Sequence, residues 1–211
     1  MQLAQSSGML GVEFELLPLA AGAEELSGMI SCLSVGERER AGRFKFARDR
    51  RRFVVARARL RERLGERLGC PASKVKIGIG AHGKPFAVDA PGLRFNLSHC
   101  DDLALIGFAR GCDLGVDLEA LRPVDEADAI AARVFSAAQY KAYLQLGGDQ
   151  RVEALFSAWT QKEAYAKALG SGLAAAFDLP LAEGWHVESF CPQHGYIAAA
   201  AWREEKQCAR S

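Results

Sequence analysis

Apolar positions along this chain change their period several times, and each change marks an element. Residues 12–18, VEFELLP, alternate with the two-residue period of a half-buried strand. Residues 23–33 read as a short helix. Ser34 suits the N-cap of the next one, and 36–48 and 50–68 carry helical spacing, the second with Phe53, Leu60 and Leu64 as its inward stripe. That helix should stop at Leu68-Gly69, because glycine accepts the left-handed C-terminal conformation and Pro71 lies just beyond. Short strands come next: VKIGI at 75–79, then the turn AHGKPF, LRFNLS at 93–98 and LALIGFA at 103–109. In a second series, LGVDLEA at 114–120 predicts a strand, 125–134 and 136–146 predict helices, and 151–169 predicts a long helix ending at Leu169-Gly170. WHVESF at 185–190, the turn CPQHG and YIAAAAW at 196–202 close the chain as strand, turn and strand.

The two series rhyme. Each holds a long helix ending in Leu-Gly, then a Gly-rich stretch, then a strand–turn–strand pair. The predicted fold class is therefore α+β, two similar halves with helices packed on small antiparallel sheets, divided as 1–112 and 113–211. The seam between them, near 111–115, is the expected place for a ligand cleft.

One helix face does not fit a plain core. In 151–169, Phe156 and Trp159 should point inward, yet Glu163 and Lys167 follow Trp159 at successive four-residue steps and share its face. A buried carboxylate without a partner is costly, so Glu163 calls for a cation. In LGVDLEA, Gly115, Asp117 and Glu119 lie on one strand face, the two acids about 7 Å apart at the backbone from a rise of roughly 3.3 Å per residue. Alone, that pair reads more simply as a solvated edge face. With Glu163 it supplies three hard oxygen ligands, and a carboxylate set completed by water and phosphate suits magnesium. Lys167 would then face the same site and meet a phosphate oxygen. Its plainer role is an ion pair with Glu163, worth only about 0.2–0.5 kcal/mol. Lys162 lies off this line and reads as structural.

Further pieces suit a ligand with several phosphates. In AHGKPF, Pro85 holds Lys84 extended on a stiff turn. In FNLSHC, Ser98 and His99 end a strand where hydroxyl and imidazole can both donate to phosphate, although such a histidine is more often structural. Arg40 and Arg52 are candidates for bidentate phosphate contacts. Cys100 beside His99 points to the opposite strand face, which argues against a cysteine nucleophile.

Charge sharpens this picture. Net charge over the 211 residues is +1, but 36–67 hold thirteen Lys/Arg against five Asp/Glu, a local +8, leaving −7 elsewhere. That is either a solvated helix face laced with Glu–Arg pairs or a site for an anion. Nucleic acid fits poorly, because the segment has few aromatics and the whole chain is nearly neutral. No apolar run approaches the ~20 residues of a membrane span, and no basic flank precedes the first apolar residues as in a secretory signal. The cysteines form no C-x-x-C pair, which predicts reduced thiols and a cytoplasmic setting.

Four ordered motifs, GKP, F-N-L-S-H, G-V-D-L-E and W-T-x-K-E-A-Y-x-K-x-L-G-x-G-L, resemble the Sfp-type 4′-phosphopantetheinyl transferases from about Ser34 to Leu173. The resemblance implies halves related by a pseudo-twofold axis, with coenzyme A between them. It also implies magnesium-dependent transfer of the phosphopantetheine arm to a serine of an apo acyl or peptidyl carrier protein, releasing adenosine 3′,5′-bisphosphate. Asp117, Glu119 and Glu163 would hold magnesium, with Asp117, Glu163 and Lys167 catalytic. Lys167 and His99 would contact the pyrophosphate, and Ser98, Lys84, Arg40 and Arg52 would surround the nucleotide. Family members often carry a basic residue near position 37, where this chain has Glu37, so neighbouring arginines would take over the 3′-phosphate. The carrier is expected beside the cleft, near 122–146, and the enzyme is expected to act as a monomer. The alternatives are a magnesium-dependent hydrolase of the coenzyme A pyrophosphate and a non-catalytic protein that binds coenzyme A or a carrier.

Overall fold

Two 22-residue helices, Ala47–Leu68 (α3) and Gly148–Leu169 (α6), set the frame. Each is closed by a glycine in the left-handed region, Gly69 at φ 67° and Gly170 at φ 65°. The computed structural model describes residues 4–5, 11–170 and 180–204. Residues 171–173 of the last motif and Cys208 lie outside the described residues. The remaining helices are α1 (Ala23–Cys32), α2 (Val35–Gly42), α4 (Ala127–Val134) and α5 (Ala137–Tyr143). The strands are β1 (Ala4–Gln5), β2 (Val12–Pro18), β3 (Ile77–Ile79), β4 (Pro85–Ala87), β5 (Leu93–Cys100), β6 (Leu103–Arg110), β7 (Cys112–Ala120), β8 (His186–Phe190) and β9 (Tyr196–Glu204). The fold is α+β, with antiparallel sheets ordered β1-β2-β6-β5 and β7-β9-β8 and a separate β3-β4 pair.

Strand alternation builds the layers. Along β6, Ile106 and Phe108 pack with Leu60 and Leu64 of α3, whereas Leu105 and Ala109 join a core shared with Leu114, Val116 and Leu118 of β7. The order through the molecule is thus α3, first sheet, second sheet, α6. The all-apolar run in β9 reflects burial on both faces. Ala198 and Ala200 enter the shared core, while Ala199 and Ala201 pack with Ala164, Tyr165 and Ala168 of α6.

Two glycines set the spacing of these layers. A Cβ on Gly107 would lie 2.7 Å from Val116 Cγ1, so the sheets approach closely there. One on Gly115 would lie 2.1 Å from the Ala164 carbonyl oxygen and 2.3 Å from the Ala168 nitrogen, which lets α6 lie directly on β7.

The basic helix is laced with Glu–Arg pairs, one of its two expected readings, but the pairing reaches into the core. Although most of its arginines are expected to face out or toward a ligand, the structure buries Arg61 to only 3% exposure. It sits 2.6 Å from a Glu37 carboxylate oxygen and donates to the Val75 carbonyl at 2.9 Å. Arg57 also pairs with Glu37, and Arg63 and Arg67 pair with Glu15. Glu37 completes a capping box with Ser34, so it belongs to the framework. Several element bounds also shift. The predicted 36–48 helix ends at Gly42, α6 starts at Gly148, α5 stops at Tyr143, and strand 75–79 shrinks to 77–79. Val75 is lost from that strand because its amide bonds the Ala72 carbonyl and its own carbonyl receives Arg61. Among the described residues no helix is long and apolar enough to cross a membrane, and the five described cysteines form no disulfide with one another.

Candidate functional site

β5 and β7 are edge strands of different sheets that lie side by side, and α6 crosses over β7. Alternation points Asn96, Ser98 and Cys100 of β5 toward β7, whose Asp117 and Glu119 face α6. Ser98 Oγ donates to Asp117 Oδ1 at 2.9 Å. Lys167 Nζ reaches the same oxygen at 2.6 Å and Ser98 Oγ at 3.0 Å. Asp117 is buried, and its second oxygen, Oδ2, has no hydrogen-bond partner among the described residues.

The other two acids share this field. Glu163 is buried one turn before Lys167. Burial first, then the negative charges of Asp117 and Glu119 against the relief given by Lys167, push its carboxyl up to about 7. Burial and then Asp117 likewise push Glu119 above the usual carboxylate range, against an opposing contribution from Arg122, whose Nη1 stands 3.7 Å away. Cys100 Sγ donates to Glu119 at 3.7 Å, and its thiol is itself raised by burial, so it is no thiolate nucleophile.

Cations border the acids. Burial, then Lys167, Arg52 and Arg40, push the His99 imidazole below its ordinary value, which places four predicted phosphate ligands in one neighbourhood. Arg52 bonds Asp102 at 2.9 Å, and the Arg40 guanidinium lies over the Phe53 ring at 5.3 Å.

Lys84 is the exception. Its ammonium donates to the Ala168 carbonyl at the end of α6, beside a cavity of about 420 Å³ also lined by Arg94, Asp113 and Trp185. Burial lowers its proton affinity, and the charges acting on it are Asp113 and Arg94 rather than the acidic trio. The structure therefore brings Ser98, Asp117 and Lys167 into contact, sets Glu119, Glu163, His99, Arg52 and Arg40 around them, and leaves Lys84 apart.

As the side chains stand, the described residues hold no gathered group of three His, Cys, Asp or Glu side chains able to bind a metal ion. The Lys167 ammonium supplies the positive charge instead. The donor chemistry nevertheless fits a hard divalent ion: three carboxylates in one field, two of them raised, and one buried oxygen without a partner. Two contributors were not singled out from the sequence. Asn96 Oδ1 accepts the Val116 amide at 2.9 Å, and Arg122 pairs with Glu119. The alternation of FNLSHC signals that Asn96 and Ser98 share a face, but not which strand they meet.

Comparison with known proteins adds an independent line. Residues 113–209 match the model of the 4′-phosphopantetheinyl transferase superfamily, and residues 20–109 match that of the 4′-phosphopantetheinyl transferase N-terminal family. The chain is 34% identical over 200 residues to the 4′-phosphopantetheinyl transferase HetI of Nostoc sp., covering 88% of this chain and 84% of that protein. It is 30% identical to the 4′-phosphopantetheinyl transferase psf-1 of Bacillus pumilus, covering 77% of this chain and 70% of that protein. With a Bacillus subtilis 4′-phosphopantetheinyl transferase it shares 27% identity over 83% of this chain and 77% of the other.

Proposed function

The chain belongs to the 4′-phosphopantetheinyl transferase superfamily, and on that premise we propose that it moves the phosphopantetheine arm of coenzyme A onto a serine of an apo carrier protein. The observation that carries this reading is the Ser98–Asp117–Lys167 contact with Glu119 and Glu163 beside it. Residues 1–112 form the half that holds the nucleotide phosphates, and 113–211 the half that bears the acids. A core shared by both sheets supports a monomer, and scattered cysteines with no C-x-x-C pair support a reducing, cytoplasmic setting.

Asp117, Glu119 and Glu163 would hold magnesium, which when bound neutralises charge on the pyrophosphate. Lys167 turns from Asp117 to a pyrophosphate oxygen, a movement open to a side chain that is 30% exposed. His99 and Ser98 flank the same phosphates, and Arg52 and Arg40 receive the 3′-phosphate in place of a basic residue at position 37. Lys84 has a supporting place, tying its turn to the end of α6.

In the reaction the carrier serine oxygen forms a bond to the β-phosphorus. The bond from that phosphorus to the bridging oxygen breaks, and adenosine 3′,5′-bisphosphate departs. The serine proton must leave as the bond forms, and Glu163 can accept it only with an oxygen that the cation leaves free, since its raised proton affinity belongs to the metal-free site. A proton and a cation compete for this carboxylate, so metal affinity and pH are coupled.

The test is release of adenosine 3′,5′-bisphosphate from coenzyme A with magnesium, followed chromatographically with and without an apo carrier. Release that requires the carrier supports transfer. Release of the same product in its absence identifies a hydrolase.

A further inference from the structure

We propose that Asn96 is a positioning residue for the acidic site: by accepting the Val116 amide it holds the free edge of β7 against β5 and so sets Asp117 where Ser98 and Lys167 meet it. The inference rests on the reading of Asp117 as a site residue.

The two strands share no backbone ladder, since β5 ends one sheet and β7 ends the other. β7 is bonded through β9, with Val116 opposite Ala200. The outer edge of β7 must find its acceptors elsewhere, and a buried amide without one is destabilising. Asn96, only 5% exposed, supplies that acceptor at 2.9 Å.

The contact has little room to slip. The Val116 side chain is pressed against β6 at Gly107, where even a Cβ would sit 2.7 Å from Val116 Cγ1. On the opposite side α6 rests on Gly115. Val116 is therefore fixed by packing on its side-chain face and by Asn96 at its amide, and the next residue is Asp117.

The rungs continue along β5. Asn96 meets Val116, Ser98 meets Asp117 and Cys100 meets Glu119. Of these, the first grips the β7 backbone in mid-strand, directly before Asp117, whereas the Cys100 thiol meets that backbone only at Ala120, its last residue, and Ser98 meets a side chain alone. Asparagine at this position in F-N-L-S-H thus has a physical reason distinct from any contact with ligand.

The test compares wild type with Asn96→Leu, which keeps the volume and loses the acceptor, and with Asn96→Asp, which keeps an acceptor oxygen. Amide hydrogen exchange of the metal-free full chain should show Val116 exchanging at least about tenfold faster in Asn96→Leu, while Asn96→Asp retains protection at Val116. With an apo carrier, Asn96→Leu should lower kcat about tenfold or more while KM for coenzyme A stays within about twofold. Leu64→Ala, a core change under the other face of the first sheet, should destabilise the fold yet leave kcat near wild type. Unchanged Val116 exchange in Asn96→Leu overturns the proposal, as does unchanged kcat, or a kcat loss that Leu64→Ala reproduces. If Asn96→Leu does not fold, Val116 in Asn96→Asp decides: wild-type protection supports the clip, and lost protection overturns it. Failure of the wild type to modify any carrier would count against the transferase reading, leaving the exchange result to decide the contact itself.

Discussion

Lys167 places its ammonium 2.6 Å from Asp117 Oδ1 and 3.0 Å from Ser98 Oγ, joining the last turn of α6 to the edge strand of one sheet and, through Ser98, to that of the other. A buried carboxylate left without its cation is destabilising by about 3–5 kcal/mol. Lys167→Met should therefore lower the stability of the metal-free protein, with magnesium restoring much of the loss, because a divalent ion supplies the missing charge. Urea unfolding with magnesium or with chelator checks this. Equal stability of variant and wild type in chelator would contradict it.

Glu163 gives a pH signature of opposite sign. Its carboxyl lies at about 7 in the fold against an ordinary value of 4.5, so the native state holds a proton that the unfolded chain releases. Stability should fall as pH rises from the ordinary value to the folded one and stay reduced above it. Glu163→Gln removes this penalty, and the metal-free variant should exceed wild type at pH 8 by on the order of 2–3 kcal/mol, a gap that closes below pH 4. Melting curves across pH measure it. Transfer should be lost in the same variant.

Glu37 shows the ordinary carboxylate pattern. Burial alone would raise its carboxyl, but the Ser34 amide, Arg57 and Arg61 together outweigh it and hold the group below its ordinary value of 4.5. Stability from this cluster is full above that value and is lost as pH falls through the lower, folded one. Glu37→Gln should cost about 3 kcal/mol at pH 7, where Arg61 loses its buried partner, and much less at pH 3. Denaturant unfolding at the two pH values tests the sign.

Gly115 separates fold from site. An alanine there would push its methyl carbon into the Ala164 carbonyl and the Ala168 amide, so α6 must lift from β7. Overpacking of this kind costs about 1–3 kcal/mol, and the movement carries Glu163 and Lys167 away from Asp117. The expected loss of kcat is about a hundredfold, measured beside melting temperature, with the far-ultraviolet circular dichroism unchanged.

Most of the framework was legible because its signals are local. Alternation located the strands, and Leu68-Gly69 and Leu169-Gly170 located the ends of both long helices. The opposition between core-facing position and charge singled out Glu163, and the fold buries that residue in the field of Asp117 and Lys167. What could not be read was partnership across the chain. Glu–Arg pairing in α3 was legible, but not that Arg57, Arg63 and Arg67 reach Glu37, Glu15 and Glu13, because those carboxylates sit on other elements. Nothing near Lys84 in sequence announces its contact with the Ala168 carbonyl. Asn96 carried no signal of its own, since its acceptor is needed only once two sheet edges meet.

Intact mass spectrometry of an apo carrier after incubation with coenzyme A and magnesium tests the central claim most directly. The predicted result is a single added phosphopantetheine on the carrier serine with wild type and none with Asp117→Ala or Glu163→Gln of preserved fold. A carrier modified by either variant at close to the wild-type rate would contradict it.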